Sequence, residues 1–156
     1  MPVKPIPDGY QAVQPYLIVD PAAKAIEFYK NVLGAEERMR LDAPGGRIGH
    51  AELTIGGSVI MLADEHPEIG AVGPRTVGGS PVGIMVYLPD VDAAVERAVA
   101  AGAKLVSPAE SKFYGDRMAT IEDPFGHKWY LSTHVEDVPP DEIARRAAAL
   151  HQGGGA

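Results

Sequence analysis

The chain has 156 residues, no cysteine, 46% hydrophobic and 22% charged residues, and a net charge of −7 with a pI near 5.1. This excludes disulfides, thiolate nucleophiles and thiolate-bound metals, and argues against a nucleic-acid partner, whose phosphates require clustered Lys and Arg. No apolar run approaches the roughly 18 residues that span a bilayer, and the opening MPVKPIPDGY lacks the apolar segment of a secretion signal, so a cytoplasmic protein with no membrane partner is expected.

In chain order, QAVQPYLIVD (residues 11–20) reads as a strand. DPAAKAIEFYKNVLGA then reads as a helix, with Asp20 as N-cap, Pro21 in the first helical position and Gly34 as its left-handed stop. Ile26, Tyr29, Val32 and Leu33 recur at helical spacing and predict one packed face. EERMRLDA and GRIGHAELTIGG follow as strands, the second with clean alternation. Gly56-Gly57 marks a hairpin into SVIMLAD. A Gly/Pro-rich linker, residues 65–81, separates this from a second pass, and its length and glycine content suit a lid. PVGIMVYLPD is a strand and DVDAAVERAVAAGA a helix, with Val91, Ala94, Val95, Ala98 and Val99 on one face. KLVSPAE, GDRMATIED and HKWYLST are strands, the last two flanking the turn PFG. Both passes read strand–helix–strand–strand–strand, which predicts a duplicated unit. Residues 141–151 form a short helix with an apolar stripe at Ile143, Ala147 and Leu150, followed by a flexible tail.

On AIEFYKNVLGA, DVDAAVERAVAAGA and EDPFGHKWYLST, the sequence resembles the vicinal oxygen chelate superfamily, which holds class I glyoxalases, extradiol dioxygenases and bleomycin-binding resistance proteins. The likeness covers about residues 12–134. GRIGHAELTIGG, MLADE, GGSPV and YGDR together look like an uncharacterised bacterial branch. The resemblance implies an α+β fold of two βαβββ modules whose strands form a curled mixed sheet with a cleft. Residues 1–138 then make one domain, with module one at 12–64 and module two at 82–134; residues 139–156 are the C-terminal helix and tail. It also implies a homodimer.

Family metal ligands normally come from the first and last strand of each module. Matching the motifs puts those stations at Gln14 and Met61 in module one and at Gly83 and Tyr130 in module two. Gln14 offers an amide oxygen, Met61 a thioether, Gly83 nothing, and Tyr130 a phenol. A hard divalent ion wants several oxygen or imidazole donors, so no metal site and no cofactor are expected, with a divalent metal as the alternative. In IEDPFGHKWYLSTH, His127 shares a face with Trp129 and Leu131 and reads as a strand-end residue bonding the turn. His134 reads as surface, and Asp123 as a turn residue.

The opposite face collects Gln14, Tyr16 and Ile18; His50, Glu52 and Thr54; Val59, Met61 and Ala63. The second pass adds Gly83, Met85, Tyr87, Arg117, Ala119, Lys128, Tyr130 and Ser132. The ligand-binding set drawn from these is Gln14, Tyr16, His50, Glu52, Met61, Met85, Tyr87, Arg117 and Tyr130: flat amphipathic walls, adaptable apolar ones and a few polar anchors. His50 and Glu52, side by side on one strand, suit structural or substrate-orienting hydrogen bonds, acid–base catalysis, or metal binding if a third ligand joins them. Arg117 beside Asp116 suits either an anchor for a substrate oxygen or an ion pair. The reading is a metal-free protein of glyoxalase/bleomycin-resistance type that sequesters a drug or metabolite in a Tyr/Met-lined cleft. The rival is a glyoxalase-like lyase or isomerase that uses His50 and Glu52 for acid–base or metal chemistry.

Overall fold

The computed structural model describes residues 2–153. The elements run β1 (Tyr16–Val19), α1 (Ala22–Leu33), β2 (Glu36–Ala43), β3 (Arg47–Ile55), β4 (Ser58–Asp64), α2 (Pro74–Val77), β5 (Gly83–Tyr87), α3 (Val91–Ala100), β6 (Lys104–Ser111), β7 (Asp116–Glu122), β8 (Lys128–His134) and α4 (Pro140–Gly153). Two βαβββ modules are present, and the fold is α+β. Strand pairing stays within each module, giving two open four-stranded sheets of order β1-β4-β3-β2 and β5-β8-β7-β6. In each, the first and last strands of the module pair in parallel and the other pairs are antiparallel.

The helical face read at Ile26, Tyr29, Val32 and Leu33 is buried, and it meets β3, whose Ala51 and Leu53 are fully buried. Gly34 ends α1 with φ 67°, a left-handed stop that glycine adopts without steric cost. The N-terminus differs from the reading of Asp20 as cap. Pro21 occupies that position, and no side chain of its own caps the helix. The carboxylate of Asp64, at the end of β4, accepts from Ala22 N at 2.8 Å instead. The second module repeats the device: Thr133, near the end of β8, accepts from Val91 N at 2.9 Å. In both modules donor and acceptor lie 42 residues apart. On α3, Val91, Ala94 and Ala98 are buried, whereas Val99 is 47% exposed and lies off the packed stripe.

The chain divides into two compact units. One comprises the chain up to Val82 together with Asp123–His127; the other comprises Gly83–Glu122 and the chain from Lys128 onward. The five-residue turn joins the first unit through two side chains. Asp123 is buried, accepts from Tyr29 Oη at 2.5 Å, and also accepts from the backbone N–H groups of Phe125 and His127. His127 Nε2 donates to Ile18 O at 2.9 Å, so its ring ties the turn to β1.

The linker is folded rather than loose. Glu65 Oε2 accepts from Gly73 N at 2.9 Å and from Thr76 Oγ1 at 2.6 Å. His66 and Ala71 form a β-bridge around a single 3₁₀ turn, Pro67–Ile69. The C-terminal helix is three residues longer than read and belongs to the second unit, held by Arg146, which donates to Phe113 O and pairs with Glu136 and Glu142. The tail read beyond it falls largely outside the described residues. Among the described residues, no helix is long and apolar enough to cross a membrane.

Candidate functional site

Register sets the site of the first module. Met61 on β4 is flanked by Tyr16 of β1 on one side and Glu52 of β3 on the other, so the three side chains share the face turned away from α1. Glu52 is 4% exposed and carries a charge that needs partners. It has them. His50, two residues earlier on the same face, places Nε2 2.8 Å from Glu52 Oε2, and Tyr10 Oη donates to Glu52 Oε1 at 2.6 Å. Tyr16 Oη lies 2.8 Å from His50 Nδ1. Since a carboxylate only accepts, His50 donates from Nε2, and as the neutral ring it accepts the Tyr16 hydroxyl at Nδ1. The result is a continuous chain, Tyr10–Glu52–His50–Tyr16.

Burial pushes the Glu52 carboxyl up, but the hydrogen bonds from His50 and Tyr10 and the nearby charge of Arg38 outweigh it and hold the group below the usual range. The same contact with Glu52 pushes the Tyr10 phenol up, and burial does so for Tyr16, so both hydroxyls keep their protons.

Tyr10 and Arg38 are missing from the sequence reading. The stretch before Gln11 has no periodic pattern, yet Pro5, Ile6, Pro7 and Tyr10 line a cavity against this face. Arg38 stacks on the Tyr10 ring at 4.5 Å and donates to Gly9 O at 3.1 Å. The register shift between Glu37 and Met39 places it there, and a bulge of that kind leaves no mark in an alternating pattern. A cavity of about 530 Å³ lies between this arm and the sheet, walled by Ile6, Pro7, Tyr10, Gln14, Glu52 and Met61. Gln14 precedes β1 instead of lying within it, because Pro15 cannot donate to a ladder. Its Oε1 accepts from Gln11 N at 2.6 Å.

A second cavity, about 540 Å³, opens at the other end of the hydrogen-bonded chain. Tyr16, Ile18, Ile48 and Ala63 form its floor, and the 3₁₀ turn with Ile69 overhangs it. Arg47, also on its wall, donates to Glu65 O. Apolar side chains make up most of the lining, alongside Arg47, Asp64, Glu65, His66 and Glu68.

In the second module, Met85 and Thr120 flank Tyr130. The Tyr130 ring lies over Gly83, and a Cβ there would overlap Cε2 and stand 3.0 Å from Cζ. Tyr87, 58% exposed, donates to Asp116 Oδ2 at 2.9 Å. Arg117 takes the opposite face from the one read for it. It pairs with Thr133 across the ladder, beside α3, and its guanidinium grips Asp92 at 2.8 and 2.9 Å, which leaves Asp116 on the Tyr87 side. His134, read as plain surface, ends β8 directly opposite Asp116 and contacts it. A cavity of about 480 Å³ there is lined by Tyr87, Tyr114, Asp116, His134, Val138 and Ile143, among others.

The family's metal stations therefore hold an amide bonded to its own turn, a thioether, and a phenol ring stacked over a glycine. This donor set does not fit a hard divalent cation. Among the described residues, no group of three or more His, Asp or Glu side chains is placed to hold a metal ion.

The family model for the Glyoxalase/Bleomycin resistance protein/Dioxygenase superfamily matches residues 11–131, and the chain belongs to that superfamily. It is 42% identical to the uncharacterised protein Mb0911c of Mycobacterium bovis over 147 residues, covering 92% of this chain and 95% of that one. TioX from Micromonospora sp. ML1 superposes with TM-score 0.61 at 27% identity, covering 80% of this chain and all of TioX. The fosfomycin resistance protein FosX from Listeria monocytogenes shares the fold at TM-score 0.60 and 20% identity, over 85% of this chain and 97% of FosX.

Proposed function

We propose that this protein binds a small organic molecule in the first module, without a metal ion, and that it sequesters that molecule rather than transforming it. The observation that carries this reading is the 540 Å³ cavity beside Tyr16, large enough for a drug-sized molecule and walled mainly by apolar side chains. Several of its polar lining groups are already engaged: Tyr16 Oη bonds His50, Asp64 accepts from Ala22 N and Ile48 N, Glu65 accepts from Gly73 N and Thr76 Oγ1, and Arg47 donates to Glu65 O. Such a site selects by shape, stacking on Tyr16 and a few oriented hydrogen bonds. The superfamily's inclusion of bleomycin resistance proteins supports the class of function. The net charge of −7 favours neutral or cationic ligands. Location in the cytoplasm and action as a homodimer belong to the same proposal; Leu41 on β2 and Leu105 and Val106 on β6 are exposed apolar residues on edge strands that suit a partner chain.

A fragment library of neutral and cationic aromatic compounds, screened by NMR against EDTA-treated protein, tests this. Hits should shift Tyr16, Ile18, Ile48 and Ile69. A library that binds nowhere near these residues contradicts the proposal.

One observation favours a second reading. His50 Nε2 stands 2.8 Å from Glu52 Oε2 with the ring oriented by Tyr16, the geometry of an imidazole prepared for proton transfer in a lyase or isomerase. The two readings part on a His50→Ala variant. A sequestering protein loses modest affinity, whereas an enzyme keeps binding and loses turnover by orders of magnitude.

A further inference from the structure

His134 closes β8 between two carboxylates. Its Nδ1 is 2.8 Å from Oδ1 of Asp116 on β7, and its Nε2 is 2.7 Å from Oδ1 of Asp137, three residues on in the segment leading to α4. Neither carboxylate can donate while ionised, so both contacts are hydrogen bonds only if both ring nitrogens carry protons. A neutral imidazole has one N–H, and its bare nitrogen would then point a lone pair at an anion. The two partners differ in freedom. Asp116 is 4% exposed and also accepts from Tyr87 Oη, whereas the Asp137 side chain is fully exposed.

We infer that His134 is a proton-operated latch: as the imidazolium it ties Asp137, and with it one wall of the second-module cavity, to the sheet, and as the neutral ring it keeps Asp116 and releases Asp137.

The groups facing the ring are few. β7 presents Asp116, the ring's own segment presents Asp137, and β5 presents Tyr87, which reaches the ring only through Asp116. The phenol of Tyr114 lines the same cavity and donates to Met118 Sδ. From α4 comes Ile143; the helix charges Glu142, Arg145 and Arg146 are engaged with one another and with Glu136. The hydrogen bonds His134 donates to Asp116 and Asp137, and their charges, raise its titration above the ordinary imidazole value. The latch is therefore fully closed below about pH 6.5, and it opens as pH rises through the higher folded value. Asp137, Val138, Pro139 and Ile143 all line the cavity, so release of Asp137 frees one wall of it. The backbone bonds from Val135 N and Glu136 N to Gly115 O lie before Asp137 and hold in both states, which makes the motion a local one.

The test follows the Cε1–H signal of His134 and the hydrogen exchange of Ile143, whose N–H donates to Pro139 O, against pH, exchange being corrected for its intrinsic rate. In wild type, protection of this amide should fall several-fold as His134 loses its proton, with a midpoint above the ordinary value. His134→Gln and Asp137→Asn should abolish that step. Asp137→Asn changes a fully exposed side chain and keeps the fold, so it serves if the histidine variant does not. A step of equal size and midpoint in Asp137→Asn, no step in wild type, or a His134 midpoint below 6.5 overturns the inference.

Discussion

The ring of Tyr130 fills the space that Gly83 leaves empty: a Cβ on residue 83 would overlap Tyr130 Cε2 and press on Cζ at 3.0 Å. Two positions that in a metal-binding relative would hold ligands are here packed against each other. Gly83→Ala should destabilise the protein by about 1–3 kcal/mol, the usual cost of forcing a methyl into an occupied site. Urea denaturation checks this. The double variant with Tyr130→Ala should recover part of the loss, because the two sites are coupled.

Asp64 is 8% exposed and accepts from both Ala22 N and Ile48 N, at 2.8 and 2.7 Å. It starts α1 and ties β3 to the end of β4. Asp64→Ala leaves two buried N–H groups without a partner and should cost about 3 kcal/mol. Thr133→Val removes the counterpart at the start of α3 and should cost about 1 kcal/mol. Thermal unfolding of the two variants gives the comparison, and the larger loss belongs to Asp64.

Glu52 sets one pH dependence. Its carboxyl titrates below the ordinary value because the bonds from His50 and Tyr10 outweigh the opposing effect of burial. A depressed acid contributes stability above its unfolded value, and that contribution fades as pH falls through the lower folded value. Wild type should therefore lose more stability than Glu52→Gln between about pH 4.5 and the acid limit. Denaturation midpoints of the two proteins at matched pH values measure the difference. Tyr10→Phe should weaken the same pH dependence in part, since His50 remains.

For binding, Tyr16→Phe removes the hydroxyl that orients His50 but keeps the flat wall. Affinity for library hits should change little. His50→Ala breaks the chain at its middle and should weaken binding about five- to tenfold, equivalent to about 1–1.5 kcal/mol for one hydrogen bond. Calorimetry on the two variants separates wall from anchor.

The duplicated architecture was legible because it is written in short-range patterns: alternating β3, the helical stripe of α1, and glycine stops such as Gly34. Period 2 also identified Tyr16, Glu52 and Met61 as neighbours, and the register of β1, β4 and β3 puts them side by side. Placement failed where a choice depends on a distant partner. Arg117 and Asp116 are adjacent, and either could have faced Tyr87; the pull of Asp92 on α3 decides it. The N-cap of α1 failed for the same reason, since Asp64 lies 42 residues away. Tyr10 lies in a Pro-rich arm with no periodicity, and only Glu52 and Arg38 give it a place. His134 read as surface because Asp116, its partner, lies 18 residues earlier, across a hairpin.

Binding in the first-module cavity is proposed to need no metal ion. Titration calorimetry of EDTA-treated protein with one library hit, repeated after addition of nickel or zinc, separates the alternatives. A single affinity, unchanged by either ion, is expected. Binding or turnover that appears only with stoichiometric metal, and disappears in Gln14→Ala or Glu52→Gln, would contradict it.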